Sequence, residues 1–153
     1  MQPKILFVCL GNICRSPTAE GVFRALAAQN DMDVIVNSCG TSGVHNGEQP
    51  DTRAMFEASL RGFDLSRQRS TQLNVSDFDD FDYIMCMDNE NLDNVLAAAP
   101  DNTTAKIQLF LDYASDQPLR TVPDPYYEDN FSDVFDLIEQ ASMGLIAHLK
   151  NGA

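Results

Sequence analysis

With 153 residues, 44% of them hydrophobic, the chain has enough apolar side chains for one packed core and too many for a disordered polymer. That length predicts a single domain over residues 1–153. A formal net charge of −13 argues against nucleic acid and anionic membrane surfaces as partners.

The start, Met1-Gln2-Pro3-Lys4, passes directly into a strand predicted over residues 4–9, without the long apolar segment of a secretory leader. No stretch approaches the ~20 apolar residues of a membrane span, so a soluble, cytoplasmic protein is expected. The run Ile5-Leu6-Phe7-Val8 is long enough for a buried strand. A helix is predicted over 17–29, with Ser16 as N-cap, Pro17 at the first helical position and Val22, Phe23, Leu26 and Ala27 as its apolar stripe. Val34-Ile35-Val36 begins a second strand that runs toward Cys39. The cluster Gly40-Thr41-Ser42-Gly43 turns the chain into a loop through Pro50. Asp51 to Arg61 reads as a helix, Asp51 capping it and Gly62 at its C′ position. Residues 63–78 are polar and loop-rich. Phe81 to Met87 is the next strand, followed by a helix that Asp88 caps and Pro100 stops. Ile107 to Phe110 is a short strand, and residues 112–130 form a long acidic loop, a type more often functional than idle. Ser132 caps a last helix whose apolar side is Val134, Phe135, Leu137, Ile138, Leu145, Ile146 and Leu149.

Strands alternating with helices predict an α/β domain with a parallel sheet and right-handed crossovers. Ligands of such sheets sit at the carboxyl ends of the strands. The segment Cys9-Leu10-Gly11-Asn12-Ile13-Cys14-Arg15-Ser16 lies at such an end. A short loop between a strand and a helix N-terminus gathers backbone N–H groups at one point and binds anions, phosphate above all. Five residues separate Cys9 from Arg15. A thiolate at the base of that cradle can attack phosphorus in line, and an arginine at its far end can grip two phosphate oxygens with its planar fork. The same surroundings, a helix N-terminus and a cation, favour the thiolate form of a cysteine. A bare C-x5-R also fits a buried structural cysteine and a loop-capping arginine; the strand before it, the helix after it and the Gly and Asn inside it favour the phosphate site. Asn12 suits a left-handed turn position.

A phosphate monoester leaves poorly unless its oxygen is protonated, so a general acid is needed across from the thiol. Asp124, between Pro123 and Pro125 and ahead of Tyr126-Tyr127, is the candidate; Asp before Pro is also a common turn opener. The two tyrosines suit a rim with apolar faces and polar tips, or core aromatics. The four cysteines (9, 14, 39 and 86) show neither zinc spacing nor a dense disulfide framework, so no metal and no cofactor is implied.

The run Val8-Cys9-Leu10-Gly11-Asn12-Ile13-Cys14-Arg15-Ser16-Pro17 closely resembles the signature of the low-molecular-weight protein tyrosine phosphatases, and the likeness extends to Asp124-Pro125-Tyr126-Tyr127 and the final helix. It implies a four-stranded parallel sheet flanked by helices on both faces, with the phosphate-binding loop after the first strand. It implies hydrolysis of aryl phosphate monoesters through a phosphocysteine on Cys9, on tyrosine-phosphorylated proteins or small aryl phosphates. Arg15 and the amides of Leu10, Gly11, Asn12, Ile13 and Cys14 would bind phosphate. Asp124 would be general acid, then general base. Ser16 would donate a hydrogen bond to the thiolate, and Tyr126 would line the wall beside the substrate ring. Cys14 would pair with Cys9 as a reversible redox partner, or merely pack the loop.

Three positions depart from the family pattern. Val44 and His45 stand where an aromatic residue often forms the wall opposite Tyr126. Gln68 stands where many relatives carry a histidine bonded to the loop asparagine, and Thr71 where an arginine is common. Asp88 keeps a family acid that can buttress the loop. Two other readings share the motif: a thiol-dependent arsenate reductase, which needs further redox cysteines near the site, and a non-catalytic phosphate-binding module, which needs neither nucleophile nor acid.

Overall fold

Every residue from Ile5 to Cys9 is buried, and the alternation of these side chains sets the architecture. In the computed structural model, which describes residues 2–152, they form the body of strand β1 (Lys4–Cys9). Ile5, Phe7 and Cys9 belong to one core cluster, Leu6 and Val8 to another. A strand covered on both faces needs an unbroken apolar run, which is what these residues supply.

Among the described residues β1, β2 (Ile35–Gly40), β3 (Tyr83–Cys86) and β4 (Lys106–Leu109) form one parallel sheet in the order β2-β1-β3-β4. The expected four-stranded parallel sheet is therefore present. Cys9 pairs with Gly40, and Val8 with both Cys39 and Cys86, so the carboxyl ends of the three strands lie side by side. Helix α1 (Arg15–Gln29) and helix α6 (Phe131–Lys150) cover the Phe7 face, with α2 (Thr52–Leu60) against both. The other face takes Phe78 of the short α3 (Asp77–Asp80) and Val95 of α4 (Asn89–Ala98). Phe7 is fully buried, with its ring 5.7 Å from that of Phe23 and 4.8 Å from that of Phe110, which opens a 3-10 helix (Phe110–Tyr113). Truncating such a residue to alanine costs about 3–5 kcal/mol.

Local signals placed most boundaries. Asp51 caps α2 through the Arg53 amide and Asp88 caps α4 through the Asn91 amide, as their positions predict. Gly62 has φ +88°, the left-handed geometry of a C′ glycine. Two caps differ. The first helix begins at Arg15 with Cys14 at the N-cap position, because the Ser16 hydroxyl is drawn to the Cys9 sulfur instead of a backbone amide. The last begins at Phe131, ahead of Ser132, with Asn130 at its N-cap position. The stretch 63–78 holds the start of α3 and a bridge between Gln72 and Gly40, and the acidic loop holds a one-turn helix α5 (Pro125–Glu128). Among the described residues no helix is long and apolar enough to cross a membrane.

Candidate active site

The loop after β1 is held by its carbonyls. The Cys9 and Leu10 oxygens accept from the amides of Thr41 and Ser42, the Gly11 oxygen from the Ser70 hydroxyl, and the Ile13 oxygen from the Asp51 amide at 2.7 Å. These carbonyls are engaged by the scaffold, and the Asn12 amide of the same loop is directed at the Cys9 sulfur, as an anion cradle around that atom requires. Gly40 and Gly11 permit the close approach. A β-carbon at Gly40 would lie 2.7 Å from the Leu10 oxygen, and one at Gly11 3.0 Å from the His45 ring.

Asn12 turns the loop, with φ 56°, a left-handed conformation that asparagine tolerates. Its side chain braces that turn: Oδ1 accepts from the Thr71 amide at 3.0 Å, and Nδ2 donates to Ser16 Oγ at 2.7 Å and Ser38 Oγ at 3.0 Å. The sequence put Gln68 in this role. Instead Gln68 Nε2 donates to the Pro17 carbonyl at 2.9 Å, and its place beside Asn12 is taken by Ser38 and by the backbone, not the side chain, of Thr71.

The Cys9 sulfur lies 3.0 Å from Ser16 Oγ and accepts from the Asn12 amide at 3.3 Å. Arg15 is buried, donates to Asp88 Oδ2 at 2.7 Å and to the Val122 carbonyl at 3.0 Å, and sits 3.6 Å from Asp124 Oδ2. Burial works against its charge, but Cys9, Asp88 and Asp124 outweigh it and hold the guanidinium above its ordinary pKa. It stays a fixed cation. Cys14 is the opposite case: burial above all, then Asp51, Cys9 and Asp124, push its thiol up, with only Arg53 opposing. Of two thiols in one loop, Cys14 is thus held neutral. It packs with Ile13, Ala54 and Phe131. All four cysteines are free thiols. Burial, followed by Asp88, pushes Cys86 up to about 12.

Asp124 caps the one-turn helix: Oδ1 accepts from the Tyr126 amide at 3.1 Å, which leaves Oδ2 turned to Arg15. The helix itself is moored by Arg53, which the sequence reading passed over. Arg53 is gripped by Asp51, donates to the Tyr126 carbonyl at 3.1 Å and lies over the rings of Tyr126 and Phe131. Only the Asp51-x-Arg53 spacing at a helix start hinted at it.

These elements enclose a pocket of about 150 Å³, lined by Cys9, Leu10, Gly11, Ile13, Cys14, Arg15, His45, Asp124, Tyr126 and Tyr127. Tyr126 and Tyr127 meet edge to face at 4.9 Å. Val44, expected on the opposite wall, is 75% exposed and does not line the pocket; its neighbour His45 does, tethered by Glu48 at 3.1 Å. Asn12 and Ser16 are buried and do not line the pocket. Among the described residues no group of three or more His, Cys, Asp or Glu could hold a metal ion. A thiol, a fixed cation and a carboxylate around a cradle of amides can support phosphoryl transfer through a covalent thiophosphate.

The comparisons agree with that class of site. The sequence model of the family described as "Low molecular weight phosphotyrosine protein phosphatase" matches residues 4–153. The chain is 40% identical over 148 residues to the low molecular weight protein-tyrosine-phosphatase YfkJ of Bacillus subtilis, covering 95% of each. It is 41% identical over 137 residues to the low molecular weight phosphotyrosine protein phosphatase of Schizosaccharomyces pombe, covering 86% of this chain and 87% of that one. A crystal structure of a protein tyrosine phosphatase from Entamoeba histolytica superposes with a TM-score of 0.94 at 39% identity, over 99% of both chains. The chain belongs to the low molecular weight phosphotyrosine protein phosphatase family.

Proposed function

We propose that the protein hydrolyses phosphotyrosine and related aryl phosphate monoesters by two in-line displacements at Cys9. The reading rests on one observation: Cys9, Arg15 and Asp124 line a single pocket, in which Cys9 and Arg15 are buried and the Asp124 carboxylate is partly exposed. The substrate phosphate lies in the cradle, its equatorial oxygens on the loop amides and Arg15. The Cys9 thiolate attacks phosphorus, the phosphorus–oxygen bond to the aryl group breaks, and Asp124 gives its proton to the leaving phenolate. Asp124, now a carboxylate, takes a proton from the attacking water. That water's oxygen bonds to phosphorus, the sulfur–phosphorus bond breaks, and Ser16 hydrogen-bonds to the departing thiolate. Tyr126 and His45 flank the entering ring, which suits a flat aryl ester on a protein side chain or a small molecule.

A thiolate nucleophile works in a reducing compartment, which supports a cytoplasmic location. The family match over residues 4–153 supports a single domain over 1–153. An arsenate reductase would need redox thiols at the pocket; Cys39 and Cys86 are buried within the sheet. A binding module would not need an acid in the same pocket as the sulfur.

The test is hydrolysis of aryl phosphates with EDTA present. Cys9→Ser and Arg15→Ala are expected to abolish turnover. Asp124→Ala should slow it by roughly 10²–10⁴, most for poor leaving groups. Tight phosphate or arsenate binding without turnover by the reduced wild type would overturn this reading.

A further inference from the structure

Glu20 is a buried acid that the chemistry above does not use. It lies on α1, 8% exposed, one turn beyond Ser16. Both carboxylate oxygens are engaged. Oε2 accepts from Arg24 Nη2 at 2.8 Å, and Oε1 accepts from Ser38 Oγ at 2.7 Å. Arg24 is itself fixed by the Val36 carbonyl at 2.7 Å. Arg67, Arg69 and Asp77 line the same cavity of about 350 Å³ beside α1.

The direction of each proton follows from what each group can do. A carboxylate only accepts, so the single Ser38 hydroxyl proton is committed to Glu20. Ser38 Oγ then offers only lone pairs, and it receives one Nδ2 proton of Asn12. The second Nδ2 proton goes to Ser16 Oγ. Ser16, already accepting, has its own proton available for the Cys9 sulfur at 3.0 Å; the alternative acceptor, the Cys39 carbonyl, is farther at 3.3 Å. Remove the carboxylate, and Ser38 can turn its proton elsewhere. One of the anchors that fixes the Asn12 amide, and with it the Ser16 proton, is then lost.

We propose that Glu20 is a positioning residue for the nucleophile: by accepting the Ser38 proton it orients the Ser38–Asn12–Ser16 chain so that Ser16 donates to the Cys9 thiolate. The proposal rests on the phosphatase reading only for its effect on turnover. Glu20 touches neither substrate nor sulfur. It acts through three intervening side chains, and Arg24 holds it in place.

The experiment measures iodoacetamide alkylation of Cys9, located by peptide mass spectrometry, between about pH 5 and pH 8. It compares wild type, Glu20→Gln, Ser38→Ala and the double variant, with kcat/KM for an aryl phosphate and Tm alongside. Glu20→Gln keeps the shape but can present an N–H to Ser38. Each single variant is expected to displace the alkylation profile to higher pH by about one unit, a roughly tenfold slower reaction on its acid side. The double variant should be no slower than either single one, because both break the same chain. kcat/KM should fall in parallel. A Glu20→Gln protein with a lowered Tm and a wild-type alkylation profile overturns the proposal, since Glu20 is then only a structural ion pair. Additive losses in the double variant overturn it as well. Should Glu20→Gln not fold, Ser38→Ala carries the test, and an unchanged profile there has the same meaning. Alkylation needs no turnover, so a wild type that alkylates normally and hydrolyses nothing sinks the phosphatase reading while leaving the positioning role to be judged on its own profile.

Discussion

Arg15 and Asp88 meet at 2.7 Å across 73 residues of sequence, joining the phosphate loop to the first turn of α4. Asp88 serves both ends at once, since its other oxygen accepts from the Asn91 amide at 2.8 Å. The carboxylate therefore holds the guanidinium from behind while its helix is held by the same side chain. Asp88→Asn keeps the cap acceptor and removes the countercharge. Hydrogen bonds to charged groups contribute about 1.5–3 kcal/mol, so kcat/KM should fall tenfold or more, with KM rising as Arg15 slackens. Steady-state kinetics within about twofold of wild type would reduce Asp88 to a helix cap.

Asp51 links stability to pH. Burial disfavours its charge, but the Arg53 side chain and the Arg53 and Ala54 amides outweigh burial and hold its carboxyl below the usual range. The folded protein thus takes up this proton less readily than the unfolded chain. Asp51 contributes its stability in full above about pH 4, and loses it as pH falls through the lowered folded value. The Tm difference between wild type and Asp51→Asn should be widest near neutrality and close in acid. A difference independent of pH would refute the linkage.

Gly144→Ala pits two effects against each other. Alanine in a helix interior is favoured over glycine by up to about 1 kcal/mol. At Gly144, however, the new β-carbon would land on the Tyr113 carbonyl oxygen, where α6 packs against the 3-10 helix. Overpacking costs typically 1–3 kcal/mol, so the clash wins and Tm should drop by several degrees. A raised Tm would mean that α6 can shift without cost.

Cys14, held neutral by burial, cannot compete with Cys9 as a nucleophile, but it can trap an oxidised partner. A Cys9 sulfenic acid would condense with the Cys14 thiol, releasing water and leaving a disulfide. Peroxide-inactivated wild type should then recover with dithiothreitol, and Cys14→Ser should recover far less. Equal recovery, with no loss of two hydrogens in the intact mass of wild type, would assign Cys14 to packing alone.

The sheet was legible because β1 and β3 are apolar on both faces and two of the helices that connect the strands carry their own caps, α2 at Asp51 and α4 at Asp88. The site was legible where one short segment carries it, from Cys9 to Ser16. Reading failed where a local rule met a distant competitor. Ser16 fits an N-cap by every local rule, yet a sulfur seven residues back claims its hydroxyl. Two of the three side-chain partners of Asn12 lie 26 and 59 residues away, and one of these is a backbone amide, which no side-chain pattern announces. Val44 and His45 are adjacent, and only the path of an irregular loop decides which faces the pocket.

The sulfur and the acid stand on unequal foundations. Cys9 ends a strand buried from Ile5 onward, so its half of the site survives as long as the sheet does. Asp124 rides a four-residue helix moored largely by Arg53. Such segments open at far lower free energy than a core strand. Mild stress will therefore strip the protein of its proton donor before its anion receptor. In urea below the melting transition, turnover should fade while phosphate binding persists; a simultaneous loss of both would deny this order. A stressed cell would then contain a molecule that still captures the phosphoryl mark and shields it, when its ordinary task is to erase it.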